Sequence, residues 1–212
     1  MTRPASPRKP RAGSQARIDS ILDAARLLLA AEGVASLSIY SVAERAGIAP
    51  SSVYHFFASV PALLEALTAD VHAAFRDSLQ QPIDPESLTQ WHDLSRLVET
   101  RMLAVYSNDA AARQLILAQH GLTEVTQADR QHDVELSNLM HALFARHFEL
   151  PTLPNEVDVF ALALELADRV YARSIQLHDT ITPRMAEESL RVFNAYLGLY
   201  LPPYLLKKNL RG

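Results

Sequence analysis

The segment from Leu37 to Leu67 constrains the fold more than any other part of this 212-residue chain. Two short helical stretches follow each other with Gly47 between them, and glycine supplies the positive φ that a tight helix-to-helix turn needs. Pro50 stands at the first position of the second stretch, where a helix tolerates proline well. This pattern predicts a helix-turn-helix, an arrangement whose second helix enters the major groove of DNA.

The apolar residues around the turn can form a small core with the preceding helix. Tyr54, His55 and Phe56 are consecutive, and consecutive helical positions point about 100° apart, so at least one of these rings faces outward. We assign Phe56 and Phe57 to the core. The other expected core positions of the motif are Leu37, Val42, Ala43, Ile48 and Val53.

The sequence predicts an all-α fold for the whole chain, because helical periodicity recurs and no alternating strand pattern of useful length is present. We predict about nine helices. A basic arm is expected at residues 1–14, the helix-turn-helix domain at 15–60 and a larger helical domain at 61–212. The predicted helices cover residues 15–32, 39–46, 50–57, 61–79, 85–107, 110–121, 124–147, 156–177 and 183–201.

Charge is distributed unevenly along the chain. The net charge is −4, which by itself disfavours nucleic acid as a partner. Residues 1–17, however, hold five basic residues and no acid, while all 24 acidic residues lie beyond them. This distribution fits a basic arm that reaches for phosphates, although an ordinary solvated leader would have the same composition.

Several protein classes are disfavoured. The chain has no cysteine, no apolar run long enough to span a membrane and no secretory leader, so we expect a cytoplasmic protein that does not enter a membrane. The eight histidines include no i, i+4 pair in the last five predicted helices. We therefore expect no metal site. No cofactor is predicted either.

The order of residues from Ala16 to Leu67 resembles the TetR family of bacterial transcriptional regulators. The matching stretches are Ile21–Ala25, Val42–Ile48 and Ser52–Phe57. The resemblance implies a homodimer whose N-terminal helices bind a palindromic double-stranded DNA operator. It also implies that the C-terminal helices form the dimer and hold a small-molecule effector, of unknown identity, that releases the DNA. The expected function is thus a ligand-responsive transcriptional regulator, acting as a repressor.

On this resemblance, the second helix of the motif presents Ser51, Ser52 and His55 to base edges, and Tyr54 donates its hydroxyl group to a phosphate. Ser51 and Ser52 could instead be ordinary first-turn residues, and Tyr40 a surface ring without a contact. Two positions depart from the family, with Ala49 in place of a common serine and Val60 in place of a common phosphate-binding lysine. The predicted DNA-binding residues are Arg8, Lys9, Arg11, Arg17, Ser38, Tyr40, Ser51, Ser52, Tyr54 and His55.

The C-terminal part offers candidates for an effector pocket and a dimer interface. Aromatic, methionine and polar side chains alternate there as in small-molecule sites, although an ordinary helical core looks similar. The helix from residue 156 is apolar nearly all round, so it needs cover on two sides, and a two-fold partner is the simplest second cover. The predicted effector-binding residues are Trp91, Met102, Tyr106, His120, Met140, His141, Phe144 and Arg173. The predicted interface residues are Phe160, Leu164, Leu190, Phe193, Leu197 and Leu201.

Two alternatives belong to other functional classes. One is an adaptor whose helix-turn-helix has lost DNA and holds another protein, supported by the missing phosphate donors at Ala49 and Val60. The other is a helical enzyme, but the sequence shows no serine elbow, glycine-rich phosphate loop or carboxylate–histidine constellation. We therefore expect the chain not to be an enzyme.

Overall fold

The computed structural model describes residues 12–118 and 123–208. Within these ranges the backbone forms nine α-helices and no β-strand, and this confirms the all-α prediction. The helices are α1 (Ala12–Glu32), α2 (Ile39–Ala46), α3 (Pro50–Phe56), α4 (Val60–Leu79), α5 (Trp91–Asn108), α6 (Ala110–Ala112), α7 (Thr123–His147), α8 (Val159–His178) and α9 (Pro183–Leu197). The chain divides after Leu67 into two compact units, residues 1–67 and 68–212.

The first unit is built on apolar faces of its first three helices. Ile21, Ala25 and Leu29 recur at spacings of four on α1, and none of the three is exposed to solvent. Val42 of α2 and Val53 of α3 are buried to the same extent. Helix α2 contacts both α1 and α3, so it is the central element of this three-helix core.

Local signals fix the helix ends of this unit. Ser38 caps α2, because its hydroxyl oxygen accepts a hydrogen bond from the backbone N–H of Ser41, and the hydroxyl oxygen of Ser41 accepts one from the backbone N–H of Ser38. Gly47 ends the helix with φ +66°, as the turn requires. Pro50 then occupies the first turn of α3. The predicted turn between α2 and α3 is confirmed.

The second unit packs α8 against α7 and α9, and α5 against α9. Helix α8 buries residues around most of its circumference, in line with its nearly continuous apolar sequence. Its side chains Phe160 and Ala163 are buried, as are Leu190 and Phe193 of α9. No helix within residues 12–118 and 123–208 is long and apolar enough to cross a bilayer.

The start of α5 differs from the prediction. Asp84 caps only a single 3₁₀ turn, Pro85–Ser87, and the α-helix begins at Trp91. The reason is Asp93, whose carboxylate accepts hydrogen bonds from the backbone N–H of Thr89 at 2.8 Å and from its hydroxyl group at 2.6 Å. This second set of capping bonds starts the helix six residues later than predicted.

Asp109 caps α6 by accepting hydrogen bonds from the N–H groups of Ala111 and Ala112. The helix then widens into a π-helical turn over Arg113–Leu117, which the sequence did not predict. Its predicted end at Gly121 lies outside the described residues.

Helices α8 and α9 are each shorter at one end than predicted. Helix α8 begins at Val159 instead of Glu156, because the side chain of Asp158 caps its first turn. Helix α9 ends at Leu197 instead of Leu201, where the backbone tightens into successive turns. Leu201 nevertheless remains buried.

Candidate nucleic-acid interface

Only one face of helix α3 packs against the rest of the first unit. Val53 is fully buried and Phe57, directly after the helix, is 8% exposed. Phe56 is half-buried, so its assignment to the core was only partly right. The buried face is centred on Val53 and Phe57, and Phe56 lies at its edge with its ring centroid 4.9 Å from that of His55.

The opposite face of α3 is polar and open to solvent. Ser51, Tyr54 and His55 are exposed, and Ser52 is half-buried. Ser51 and His55 are four residues apart and therefore share one side of the helix. The structure thus places three of the four predicted α3 contacts on the surface of the first unit and the fourth at its margin.

Tyr40 and Ser38 stand on either side of the start of α2. Tyr40 is 67% exposed, which leaves its ring free for a partner. Ser38 is half-buried, and its hydroxyl oxygen is already engaged with the N–H of Ser41 at 2.9 Å. Its capping role is therefore visible, while a phosphate contact stays a prediction.

Basic groups are few on this unit. Arg17 is exposed on α1 and Arg45 is exposed in the last turn of α2. Ala49, the N-cap residue of α3, offers no side-chain hydrogen bond, and Val60 opens α4. The predicted contacts Arg8, Lys9 and Arg11 lie outside the described residues.

The predicted effector residues occupy different environments in the second unit. Met102, Met140 and Phe144 are buried in packing. Trp91 is buried with its ring stacked on His92, centroids 3.6 Å apart, and its Nε1–H donates to the carbonyl oxygen of Pro202 at 2.9 Å.

Tyr106 is also buried, and its hydroxyl group donates to the carboxylate of Asp168 at 3.0 Å. His141 and Arg173 are exposed, and His120 lies outside the described residues. The structure brings Phe144 and His141 together around the ring of Phe160. The roles of all these residues in effector binding stay predictions.

The sequence analysis overlooked a buried acid. Glu99 of α5 is 6% exposed and accepts hydrogen bonds from Tyr171 of α8 at 2.5 Å and Ser189 of α9 at 3.4 Å. Burial, the dominant cause, raises the pKa of Glu99 to about 7 although both hydrogen bonds lower it. Burial and the nearby carboxylate raise the pKa of Tyr171 as well. The available signal was the position of Glu99 on the apolar face of α5, between Ser95 and Met102.

The predicted interface residues are all buried within a single chain. This holds for Phe160 and Leu164 on α8, for Leu190, Phe193 and Leu197 on α9, and for Leu201 beyond it. Exposed apolar residues lie beside them, and these were not selected from the sequence. They are Leu162, Leu166 and Leu177 on α8 and Leu199, Tyr204 and Leu206 in the C-terminal segment.

Residues 12–118 and 123–208 contain no group of three or more histidine, aspartate or glutamate side chains placed to hold a metal ion. What they do contain is a helix-turn-helix with an exposed polar second helix, next in sequence to a helical unit. That combination is typical of helix-turn-helix DNA-binding proteins.

Within this class, residues 21–67 match the family model described as bacterial regulatory proteins of the tetR family. This confirms the resemblance to the TetR family for the N-terminal part of the chain. Proteins of that family are DNA-binding regulators without enzymatic activity, in agreement with the expectation that the chain is not an enzyme. No curated protein matches the chain.

Solved structures of TetR-family regulators share the fold over nearly the whole chain. A regulator from Streptomyces coelicolor is 22% identical with a TM-score of 0.65, and the match covers 88% of this chain and 98% of that one. A protein from Shewanella sp. PV-4 is 18% identical with a TM-score of 0.60, over 90% and 98% of the two chains. The multidrug binding protein EbrR, solved with imidazole, is 21% identical with a TM-score of 0.62, over 92% and 97%. The chain therefore has the fold of a TetR-family transcriptional regulator.

Proposed function

We propose that this protein is a ligand-responsive transcriptional repressor that binds a palindromic operator as a homodimer and leaves it when a small-molecule effector binds. The observation that carries the proposal is the exposed polar face of α3, with Ser51, Tyr54 and His55 presented on a helix whose opposite face is buried. A short helix held in this way is what major-groove recognition requires.

Operator binding is tested with DNA from the region upstream of the protein's own gene, by a gel-shift assay or fluorescence anisotropy. Replacing both Ser52 and His55 with alanine should lower the ratio of operator affinity to affinity for unrelated DNA roughly tenfold or more, because base-edge contacts provide the specificity. Ser20→Ala, an exposed serine on α1, is the matched control and should bind like the wild type.

The opposite outcome favours the adaptor. Ala49 and Val60 supply no phosphate-binding side chain at two positions where the family commonly has one. If the wild-type chain shifts neither its upstream DNA nor unrelated DNA in a gel at low salt, the DNA-binding proposal fails. The better-supported hypothesis is then that the first unit binds another protein.

Dimerisation is proposed through the outer face of α8. Leu162, Leu166 and Leu177 are exposed there, and they lie together with the exposed Arg173 along one side of the helix. Apolar side chains in such a row are covered most simply by a symmetry-related copy of the same row. The six buried residues predicted as the interface would then support this face from inside.

The effector is proposed to bind in the second unit. EbrR, which has the same fold, has been solved with imidazole and with ethidium, so this fold accommodates small organic molecules in that protein. A thermal-shift screen of small lipophilic compounds, followed by the gel-shift assay with each hit, tests whether one of them releases this chain from its DNA.

A further inference from the structure

A cleft lies between the end of α4 and the C-terminal half of α7, apart from the residues that the sequence analysis selected for the effector. Its volume is about 450 Å³, within the range of roughly 300–1,000 Å³ typical of small-molecule sites. One wall comes from Leu79 and the connection that follows α4, including Ile83. The other comes from α7, with Leu139 and Leu143.

The first wall is fixed in place by Arg101 of α5. Its guanidinium group donates to the carbonyl oxygen of Leu79 at 3.0 Å and to that of Pro82 at 2.9 Å. A cation on the last carbonyl groups of α4 also interacts favourably with the helix dipole. The cleft therefore has a shape set by hydrogen bonds and does not depend on a mobile loop folding over a ligand.

The second wall ends at Arg146 and His147, the last residues of α7, and both line the cleft. The C-terminal segment secures this end, since the N–H of Lys208 donates to the carbonyl oxygen of His147 at 2.8 Å and its ammonium group to that of Ala145 at 2.7 Å. Arg146 is exposed at the rim, whereas His147 is only 3% exposed.

The ring of His147 lacks a hydrogen-bond partner at one nitrogen. Its Nδ1 is buried and finds no partner among the described residues. Burial lowers the pKa of His147, and the neighbouring charges of Arg146 and Lys207 lower it further, so the ring is neutral near pH 7. The charges that act on the ring are thus cationic, and a buried polar atom without a partner marks a place where a ligand group can supply one.

We propose that this cleft binds a small amphipathic anion, with its apolar body against Leu79, Ile83 and Leu143 and its carboxylate beside Arg146 and His147. Apolar walls alone would take any lipophilic compound. The arginine at the rim selects an anionic group, and the buried imidazole nitrogen, in its Nδ1–H tautomer, donates a hydrogen bond to that group. Resting on the regulator proposed above, we further assign the anion as its effector.

The test uses the full-length protein and three probes that share a ten-carbon chain: decanoate, decanol and decyltrimethylammonium. Titration calorimetry should give the tightest binding for decanoate. Arg146→Gln should weaken decanoate binding roughly tenfold, the usual size of a charge-assisted hydrogen bond, and leave decanol unchanged. Arg96→Gln, an exposed arginine on α5 that does not line the cleft, is the matched control.

A second variant blocks the cleft without touching its charge. Ala142 is exposed on α7 and lines the cleft, so Ala142→Phe fills the space while leaving the core intact. It should abolish decanoate binding at an unchanged melting temperature of the ligand-free protein. Absence of decanoate binding to the wild type, or equal binding to Ala142→Phe, overturns the proposal.

The effector role is separated from the binding site by the gel-shift assay. Decanoate should release wild-type protein, but not Ala142→Phe, from the upstream DNA. Binding in the cleft without release overturns the effector assignment and leaves the site standing. A chain that binds decanoate in the cleft but never binds DNA refutes the proposed repressor and not the anion site.

Discussion

Glu99 shows how a single residue can make the stability of the fold depend on pH. Its carboxyl group is buried among α5, α8 and α9, where the groups that donate to it, Tyr171 and Ser189, are both neutral. Asp168 lies close by, and its charge also acts on Tyr171. Burial in such surroundings favours the protonated acid, and the pKa of Glu99 rises from 4.5 to about 7.

The sign of the effect follows from proton linkage. Between pH 4.5 and about 7 the folded chain binds a proton at Glu99 that the unfolded chain has lost, so folding stability falls as the pH rises through this window. Glu99→Gln, which keeps an acceptor for Tyr171, should remove this slope. The variant should exceed the wild type in stability by up to about 3 kcal/mol at pH 8, and the difference should vanish near pH 4.5.

Urea unfolding at a series of pH values measures this difference directly. Glu187→Gln, at an exposed position on α9, serves as the control and should follow the wild type at every pH. A Glu99→Gln variant whose stability runs parallel to the wild type across the window would show that Glu99 is ionised throughout.

At the scale of secondary structure, the start of α2 combines a structural role with a proposed binding role in one side chain. Ser38 caps the helix through Ser41, and removing such a cap costs about 1 kcal/mol. Ser38→Ala should therefore lower the free energy of unfolding by about that amount. Ser38→Asp keeps a capping oxygen, so it should retain stability.

The two variants separate the roles of Ser38 when DNA binding is measured beside stability. If the hydroxyl group also contacts a phosphate, the negative charge of Ser38→Asp should weaken binding to all DNA sequences alike. DNA affinity that is unchanged in this stable variant would restrict Ser38 to capping.

The residues before α1 are proposed to form a second binding element. Helix α1 begins at Ala12, so deletion of residues 1–11 leaves its described length intact while removing Arg3, Arg8, Lys9 and Arg11. Each lost phosphate contact should reduce the slope of log affinity against log salt by about 0.9. Affinity measured from 50 to 200 mM salt gives this slope, and an unchanged slope would exclude the arm from the complex.

At the scale of the whole molecule, the proposed function depends on two copies acting together. Two α3 helices of a dimer should lie one turn of DNA apart, roughly 34–36 Å. Because a single seven-residue helix offers few base contacts, loss of the dimer should cost most of the operator affinity.

Leu166→Glu tests this dependence. Leu166 is 40% exposed on α8, so the substitution should spare the fold of one chain and place a charge in the proposed interface. We expect a monomer by analytical ultracentrifugation and weak operator binding. Val134→Glu, at a 52% exposed position on α7, should remain dimeric. A dimeric Leu166→Glu variant would move the interface to another face of the molecule.

Much of the first unit could be predicted from sequence because its signals act locally. The cap at Ser38, the left-handed turn at Gly47 and the proline at the start of α3 each determine the backbone within a few residues of themselves. The predicted ends of α2 and α3 agree with the observed ones to within one residue, whereas α1 begins three residues earlier than predicted. The helical repeat predicted that at least one of the consecutive rings of α3 faces outward, and the family resemblance predicted which polar residues share that face.

The second unit was less predictable because burial there depends on which helix faces meet. Apolar residues such as Phe160 and Phe193 suit an interface and a core equally well, and the packing of α8 on α9 places them in the core. The sequence pattern does not show whether Asp84 or Asp93 caps α5. In the structure Asp93 caps it, because its carboxylate accepts hydrogen bonds from the N–H groups of Thr89 and Gln90.

The all-α class, the helix-turn-helix and the polar side of its second helix could be predicted from sequence, because caps, turns and helical periodicity depend on neighbouring residues. The fold was needed to show that Glu99 is buried, that α8 has exposed leucines along one side, and that Ile83 and His147 line one cleft. These properties depend on which residues far apart in the chain come together in space and exclude water from one another. A local sequence pattern does not show which distant residues will meet.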